Sequence, residues 1–221
     1  MGFLNLFKAN KHPENVKGKL LERAKNGDTE AMFELGEQCE QESNYSEAEK
    51  WFLQAVDKGH ALSKYYLALN YSAGMGGPIK METAVQFLTE LIEEGYEIYG
   101  KDLAWIFGDI RKKNHPLLKK YYDLDKAEHY YLLTIKTRNE ARWTDAIYNL
   151  GMLYAGNLIY PHADDAIQNP SKAAYCLYMA GLSDGYGMEE YNALISKADL
   201  HFDKETLNKW ENDYKNRNFN I

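Results

Sequence analysis

A helical repeat is clearest in the segment Ala146-Ile147-Tyr148-Asn149-Leu150-Gly151-Met152-Leu153-Tyr154-Ala155-Gly156, and its pattern returns at intervals along the chain. In each copy a leucine is followed by a small residue, and a larger residue stands four positions after the leucine. These positions share one face of a helix. The small residue indicates close contact with a neighbouring helix. The copies are Leu35-Gly36 with Cys39, Leu67-Ala68 with Tyr71, Leu103-Ala104 with Phe107, and Leu150-Gly151 with Tyr154.

A second helical pattern alternates with the first. Each copy begins with an alanine, and bulky residues mostly follow it three and four positions later, so one helix face is again apolar. The alternation predicts helix pairs, with length differences confined to the loops between helices. The four alanines are Ala48, Ala84, Ala127 and Ala173.

These residues resemble the Sel1-like repeat family, a relative of the tetratricopeptide repeat. The clearest matches are Ala146-x3-Leu150-Gly151-x2-Tyr154-x-Gly156 with Lys172-Ala173, and Tyr71-x2-Gly74-x-Gly76 with Thr83-Ala84. The resemblance implies an all-α, right-handed α/α solenoid of four to five repeats with a C-terminal capping helix. It also implies a binding scaffold, since family members act as adaptors in signalling and secretion, and some bacterial ones neutralise toxins.

The predicted organisation is an N-terminal tail over 1–13 and a single solenoid over 14–221. The first repeat lacks the Gly-x-Gly turn, and the third and fourth have longer loops. The predicted repeats are 27–58, 59–94, 95–138 and 142–183, with a terminal pair over 184–217. The predicted helices are 14–26, 29–41, 45–58, 61–73, 80–94, 97–113, 124–138, 142–155, 170–183, 187–198 and 204–217.

Composition and charge argue against several classes of protein. There are 26 Lys and Arg against 33 Asp and Glu, a formal net charge of −7, which argues against a general nucleic-acid binder. No apolar run reaches the ~18 residues that span a bilayer. The first residues lack the basic segment of a signal peptide. Two widely spaced cysteines, Cys39 and Cys176, do not form a secreted disulfide framework. We expect a cytoplasmic protein that binds neither nucleic acid nor membrane.

Residue types that carry catalysis are present but not arranged for it. The chain has no His-Glu-x-x-His, no phosphate-binding Gly-x-x-x-x-Gly-Lys and no Gly-x-Ser-x-Gly. The run Gly74-Met75-Gly76-Gly77-Pro78 is predicted to be a turn between helices. His162-Ala163-Asp164-Asp165 could chelate a metal, although such a run is more typical of a solvated loop. We predict no enzyme, no cofactor and no metal site; an enzyme is the less favoured alternative.

A partner-binding face follows from the resemblance, which implies that the first helix of each pair lines a concave groove. An aromatic row would then run along the groove: Phe33, Tyr65, Trp105 and Tyr148. We expect Tyr65 to be exposed. For Trp105, exposure in the groove and burial in the core are equally favoured. The full set of candidate partner-binding residues is Glu30, Phe33, Glu37, Glu40, Tyr65, Leu69, Lys101, Trp105, Asp145, Tyr148 and Met152.

Charge clusters suggest the kind of partner. Residues 28–49 hold eight carboxylates and no Lys or Arg, which is either a solvated face or a surface that steers a basic partner. The basic residues of 111–120 are predicted to be a solvated insertion. The leading hypothesis is an immunity protein that neutralises a basic toxin domain; the alternative is an adaptor or regulator in signalling or secretion. The oligomeric state, and whether loops 108–123 and 156–169 cover the groove, stay open.

Overall fold

The computed structural model describes residues 13–159, 167–219 and 221, and every regular element in these ranges is helical. The predicted all-α fold class is confirmed. The α-helices are α1 Pro13–Lys25, α2 Thr29–Gln41, α3 Tyr45–Val56, α4 Ala61–Ala73, α5 Met81–Glu93, α6 Gly100–Gly108, α7 Leu124–Lys136, α8 Glu140–Ala155, α9 Pro170–Asp184, α10 Met188–Lys197 and α11 Lys204–Lys215. Short 3-10 turns lie at Glu97–Tyr99, Ile110–Lys112, Lys119–Tyr121 and Gly156–Leu158.

The chain divides into two compact units, and the division falls inside α5, between Phe87 and Leu88. We call the part up to Phe87 unit 1 and the part from Leu88 unit 2, and each is described by itself. The single solenoid over 14–221 therefore stays a prediction. Most of the predicted tail, residues 1–12, lies outside the described residues.

In unit 1 each helix packs against the next, from α1 to α4. The core between α2 and α3 shows why a small residue follows the leucine. A Cβ at Gly36 would lie 2.3 Å from Cε1 of Phe52, so the Phe52 ring occupies the space that any side chain would need. Ala48 is fully buried in the same core, with Phe52 and Leu67 beside it. The close helix contact inferred from the sequence is confirmed here.

Unit 2 repeats the arrangement. Helix α7 packs between α6 and α8, and α9 contacts α8, α10 and α11. A Cβ at Gly151 would lie 2.9 Å from Cβ of Cys176, so α8 and α9 also meet through a small residue. Ala127 and Ala173 are fully buried. Both cysteines are buried thiols, as expected of core residues.

The turns between helix pairs use left-handed backbone positions. Gly27, Gly59 and Gly95 have φ values of +94°, +82° and +97°, a region that glycine enters without steric cost. Arg138 takes the corresponding position before α8 with φ +54°. In the first repeat Ser43, with φ +58°, turns the chain from α2 to α3 where the sequence lacks Gly-x-Gly.

The predicted helix over 97–113 is wrong at both ends, because α6 covers only Gly100–Gly108. Helix α6 ends at Gly108 because Asp109 is extended, with φ −72° and ψ +102°. Its carboxylate accepts a hydrogen bond from the backbone N–H of Arg111 at 3.1 Å, so the side chain replaces the helical pattern. Within the described ranges no helix is both long and apolar enough to cross a membrane.

Candidate partner-binding surface

In unit 1 the carboxylates of α2 bond to polar side chains of α4. His60 Nε2 lies 3.3 Å from Glu30 Oε2, and the Tyr66 hydroxyl donates to Glu37 at 3.2 Å. The Asn70 amide donates to Glu40. Burial raises the pKa of Glu40, and the Asn70 hydrogen bond offsets part of this rise. We call these three pairs the α2–α4 ladder. They give Glu37 and Glu40, two of the predicted partner-binding residues, an internal role, whereas the side chain of Glu30 stays 62% exposed at the edge of the ladder.

The rest of the acidic stretch is also largely paired within unit 1. Asp28 caps α2 by accepting from the Ala31 N–H, and Arg23 bonds it at 2.8 Å. The Ala31 N–H and Arg23 together lower the pKa of Asp28. Further pairs are Glu34 with Arg23 at 3.8 Å, Glu47 with Lys50 at 2.8 Å, and Glu49 with Tyr71 at 2.7 Å and Lys80 at 2.6 Å.

Two members of the predicted aromatic row belong to the core of unit 1. Phe33 is 5% exposed and packs against the rings of Phe52, His60 and Tyr66. Tyr65 is 8% exposed, so the expectation that it is exposed is wrong. Successive helical residues point about 100° apart, so a register assigned from repeat spacing easily exchanges a surface position for a core position. Leu69 is half-buried.

In unit 2 the structure brings the predicted residues together. Lys101 Nζ on α6 lies 2.9 Å from Asp145 Oδ2 on α8. One turn along α6 lies Trp105, which is 48% exposed. Of the two alternatives for Trp105, groove surface or core, the structure therefore shows a surface residue. Tyr148 and Met152 follow Asp145 along α8 at helical spacing, and both are half-buried. We call these five residues the Trp105 surface.

The Trp105 surface continues from α8 to α10. The Tyr148 hydroxyl donates to Glu190 at 2.9 Å. The Tyr148 ring lies 4.3 Å from the ring of Tyr186, which is 51% exposed. These contacts hold the two aromatic rings in fixed positions, so little side-chain entropy would be lost when a partner covers them.

A concavity of 210 Å³ lies beside Trp105. One lining residue is Tyr131, which is 4% exposed and carries a hydroxyl group. Burial raises the pKa of Tyr131, so this hydroxyl keeps its proton and can donate. The lining residues are Trp105, Gly108, Asp109, Tyr122, Leu124, Tyr131, Asn149, Met152, Leu153 and Gly156.

The start of the basic segment folds against Trp105. The Arg111 guanidinium and the Lys112 ammonium lie 5.4 Å and 5.0 Å from the centre of the indole ring, close enough for cation–π contacts. Both cations bond to Asp109 at 2.8 Å. Lys112 is only 4% exposed, so the prediction of a solvated insertion is wrong at this residue.

The Asp109 carboxylate holds this segment together electrostatically. Burial alone would raise its pKa, but the hydrogen bonds from Arg111 and Lys112 outweigh burial and lower the pKa to about 2. Asp109 is therefore ionised at neutral pH, and it keeps the two cations beside Trp105.

A crystal structure of a Sel1 repeat protein from Oxalobacter formigenes superimposes with a TM-score of 0.61 at 17% identity, covering 93% of this chain and 80% of that one. This chain has the Sel1-like repeat fold. A protective antigen of uropathogenic Escherichia coli that displays the same fold gives a TM-score of 0.48 at 18% identity, and the chain spans about half of its length, 48%. No protein-family model and no curated protein matches the sequence.

Three residues next to the Trp105 surface, Asp109, Tyr131 and Tyr186, carry no signal in the Sel1-like pattern. Asp109 follows the last position of the repeat helix, and Tyr131 occupies a core position of the second helix. Tyr186 stands between Gly185 and Gly187, where its exposure could have been inferred from the turn. The inter-helix contacts that place Asp109 and Tyr131 beside Trp105 do not follow from local spacing.

The described residues contain no group of three or more His, Cys, Asp or Glu side chains positioned to hold a metal ion. His162-Ala163-Asp164-Asp165, the run considered as a metal ligand set, lies outside the described residues. His129, a histidine of α7, is exposed and packs edge-on against Tyr130.

Proposed function

We propose that this chain is a non-catalytic protein-binding scaffold, and that a partner protein docks on the Trp105 surface. The observation that carries the proposal is the half-exposed indole of Trp105 beside a concavity of 210 Å³. Tryptophan, tyrosine and methionine are enriched at the centres of protein interfaces, where a few residues supply most of the binding free energy.

The polar groups around Trp105 support selective binding. The Lys101–Asp145 and Asp109–Lys112 pairs are already formed within the unit, so a partner does not leave their charges uncompensated. Tyr131, which lines the concavity, carries a hydroxyl group that can pair with a side chain or backbone carbonyl of the partner. A partner that inserts an apolar side chain carrying a hydrogen-bond acceptor fits these features best.

The finer form of the proposal is a cytoplasmic immunity protein that neutralises a basic toxin domain. A net charge of −7 supports a basic partner. The α2–α4 ladder uses Glu37 and Glu40 internally, so steering falls to the more exposed carboxylates. The side chains of Glu30 and Glu34 are 62% and 43% exposed.

The test begins with co-expression of the chain with the products of neighbouring reading frames, followed by affinity measurement on any purified complex. Trp105→Ala is expected to weaken binding by about 30-fold or more, the loss typical of a hot spot. Leu117→Ala is the matched control, because Leu117 is an apolar residue of unit 2 that is 76% exposed and lies outside the Trp105 surface. Equal affinities for the two variants would contradict docking on Trp105.

The rate at which the complex dissociates distinguishes an immunity protein from an adaptor or regulator. An immunity protein dissociates slowly from its toxin and restores growth to cells that express the toxin domain. An adaptor exchanges its partner quickly and does not restore growth to such cells. Substrate turnover by the purified chain, lost on His129→Ala, would contradict a non-catalytic scaffold altogether.

A further inference from the structure

The basic segment after α6 places one of its own guanidinium groups on Trp105. The Arg111 side chain is 73% exposed, and its guanidinium lies 5.4 Å from the centre of the indole ring. Its Nε and Nη2 donate to the two carboxylate oxygens of Asp109 at 2.8 Å and 3.0 Å. Trp105 and Asp109 therefore hold one exposed guanidinium together, through an aromatic face and a bidentate pair of hydrogen bonds.

The position of the Asp109 carboxylate does not depend on the Arg111 side chain alone. The side chains of Asp109 and Lys112 are 10% and 5% exposed, and the Lys112 ammonium donates to Asp109 Oδ2 at 2.8 Å. The carboxylate also accepts the backbone N–H of Arg111 at 3.1 Å, a bond that any residue other than proline can make at this position. Removal of the Arg111 side chain therefore leaves the carboxylate in place beside the indole.

The contacts of Arg111 can be exchanged for those of another guanidinium. Exposed ion pairs add little to stability, because water competes for both charges. A guanidinium supplied from outside meets the same ring and the same carboxylate, so the charge balance at Asp109 is unchanged after the exchange. Because Lys112 already balances the Asp109 charge, ring contact and hydrogen-bond geometry supply most of the binding, and a free guanidinium should bind in the millimolar range.

We propose that Trp105 and Asp109 form a site for an arginine side chain of the partner, and that Arg111 occupies this site in the free protein. This inference rests on the proposed function and names a group that the partner presents. Arginine fits better than lysine, because only a planar guanidinium donates two parallel hydrogen bonds to a carboxylate and stacks on an aromatic face. The net charge of −7 favours a partner with basic side chains.

The test uses the protein alone, with N-acetyl-arginine amide as the probe at constant ionic strength. The indole ¹⁵N–¹H resonance of Trp105 reports binding, and Trp105→Phe assigns it among the four tryptophans. In Arg111→Ala we expect a saturable shift of this resonance. In the wild-type protein we expect binding roughly tenfold weaker, as for a site that is free about one-tenth of the time. Arg111→Gln, which keeps most of the side-chain length without the charge, should respond as Arg111→Ala does.

Two controls define the chemistry of the site. N-acetyl-citrulline amide has the shape of the probe without its charge and should cause no saturable shift. Arg23→Ala removes an arginine of unit 1 whose Nε donates to Asp28 at 2.8 Å, and it should respond as the wild-type protein does. Equal affinities of the wild-type protein and the Arg111 variants, with far-UV circular dichroism showing intact helical folds, overturn the proposal. A citrulline shift as large as the arginine shift, or no saturable shift in any variant, overturns it as well.

The probe experiment involves no partner, so its failure and the failure of the proposed function can be told apart. A missing arginine site removes only the group assigned to the partner. Docking on the Trp105 surface is tested separately, by the affinities of Trp105→Ala and Leu117→Ala for the co-purified partner.

Discussion

The small residues after the repeat leucines set how closely neighbouring helices approach. Gly36 and Gly151 face side chains that already fill the space where a Cβ would stand. Gly18 on α1 has no atom within 4 Å of that position. The same Gly-to-Ala change therefore has opposite consequences at these sites, because only packing differs between them.

We predict that Gly36→Ala destabilises the protein by about 1–3 kcal/mol, the cost of overpacking a core, because the new Cβ meets the Phe52 ring at 2.3 Å. Gly18→Ala is the control and should stabilise it by about 0.5–1 kcal/mol, since alanine is the better helix former. Urea unfolding measures both. A Gly36→Ala variant as stable as Gly18→Ala would show that α2 and α3 do not meet as described.

The Asp109 carboxylate makes the stability of unit 2 dependent on pH. Its pKa is about 2 in the folded protein against an ordinary value of 3.8, so its contribution is complete above pH 3.8 and is lost as the pH falls to about 2. A shift of this size corresponds to about 2 kcal/mol. Asp109 and Lys112 are 10% and 5% exposed at the side chain, so solvent screens this interaction little.

Asp109→Asn should therefore lower stability at pH 7 by about 2 kcal/mol, and the difference from the wild-type protein should shrink between pH 4 and pH 2. Thermal unfolding across this pH range measures the effect. Asp199→Asn is the control, because the Asp199 side chain is 96% exposed. A pH-independent difference would mean that the introduced amide disturbs the turn and that the lost charge plays no part.

At the scale of the element, the turns between helix pairs depend on residues with positive φ. Gly59 meets this requirement without strain, whereas Arg138 adopts φ +54° with a full side chain. Non-glycine residues pay a steric cost in this region because Cβ crowds the following carbonyl.

Arg138→Gly should stabilise the protein by about 0.5–1 kcal/mol by removing this steric cost. Gly59→Ala should destabilise it by about 1 kcal/mol, because φ is +82° there although no atom lies within 4 Å of the new Cβ. Chemical denaturation of both variants tests the pair. If Arg138→Gly is less stable than the wild-type protein, the Arg138 side chain contributes contacts that outweigh its backbone strain.

At the scale of the whole molecule, a net charge of −7 favours encounter with basic partners. Reversal of Glu37 and Glu40 cannot test this effect cleanly, because both bond to α4 in part-buried positions of the α2–α4 ladder and their loss should also destabilise unit 1. The more exposed pair Glu30 and Glu34 is the better choice.

The double variant Glu30→Lys/Glu34→Lys should slow association with the co-purified partner several-fold at low salt, and the difference should vanish at high salt, where exposed charges are screened. Stopped-flow mixing measures the rate. Lys19→Glu/Lys58→Glu, on exposed residues of unit 1, is the control of opposite sign and should speed association. Association rates that are independent of salt concentration and of these substitutions would contradict electrostatic steering of a basic partner.

The series of helix pairs could be predicted from the sequence, because hydrophobic periodicity and small-residue spacing are local properties. Helices α2 and α4 begin and end at the predicted residues, and Ala48, Ala84, Ala127 and Ala173 are all fully buried. Three features depend on how the helices pack and could not be predicted: the burial of Tyr65, the end of α6 before Asp109, and the contact between Lys101 and Asp145, 44 positions away. Burial and pairing of this kind depend on which helices approach each other, and residues far apart in the chain control that approach.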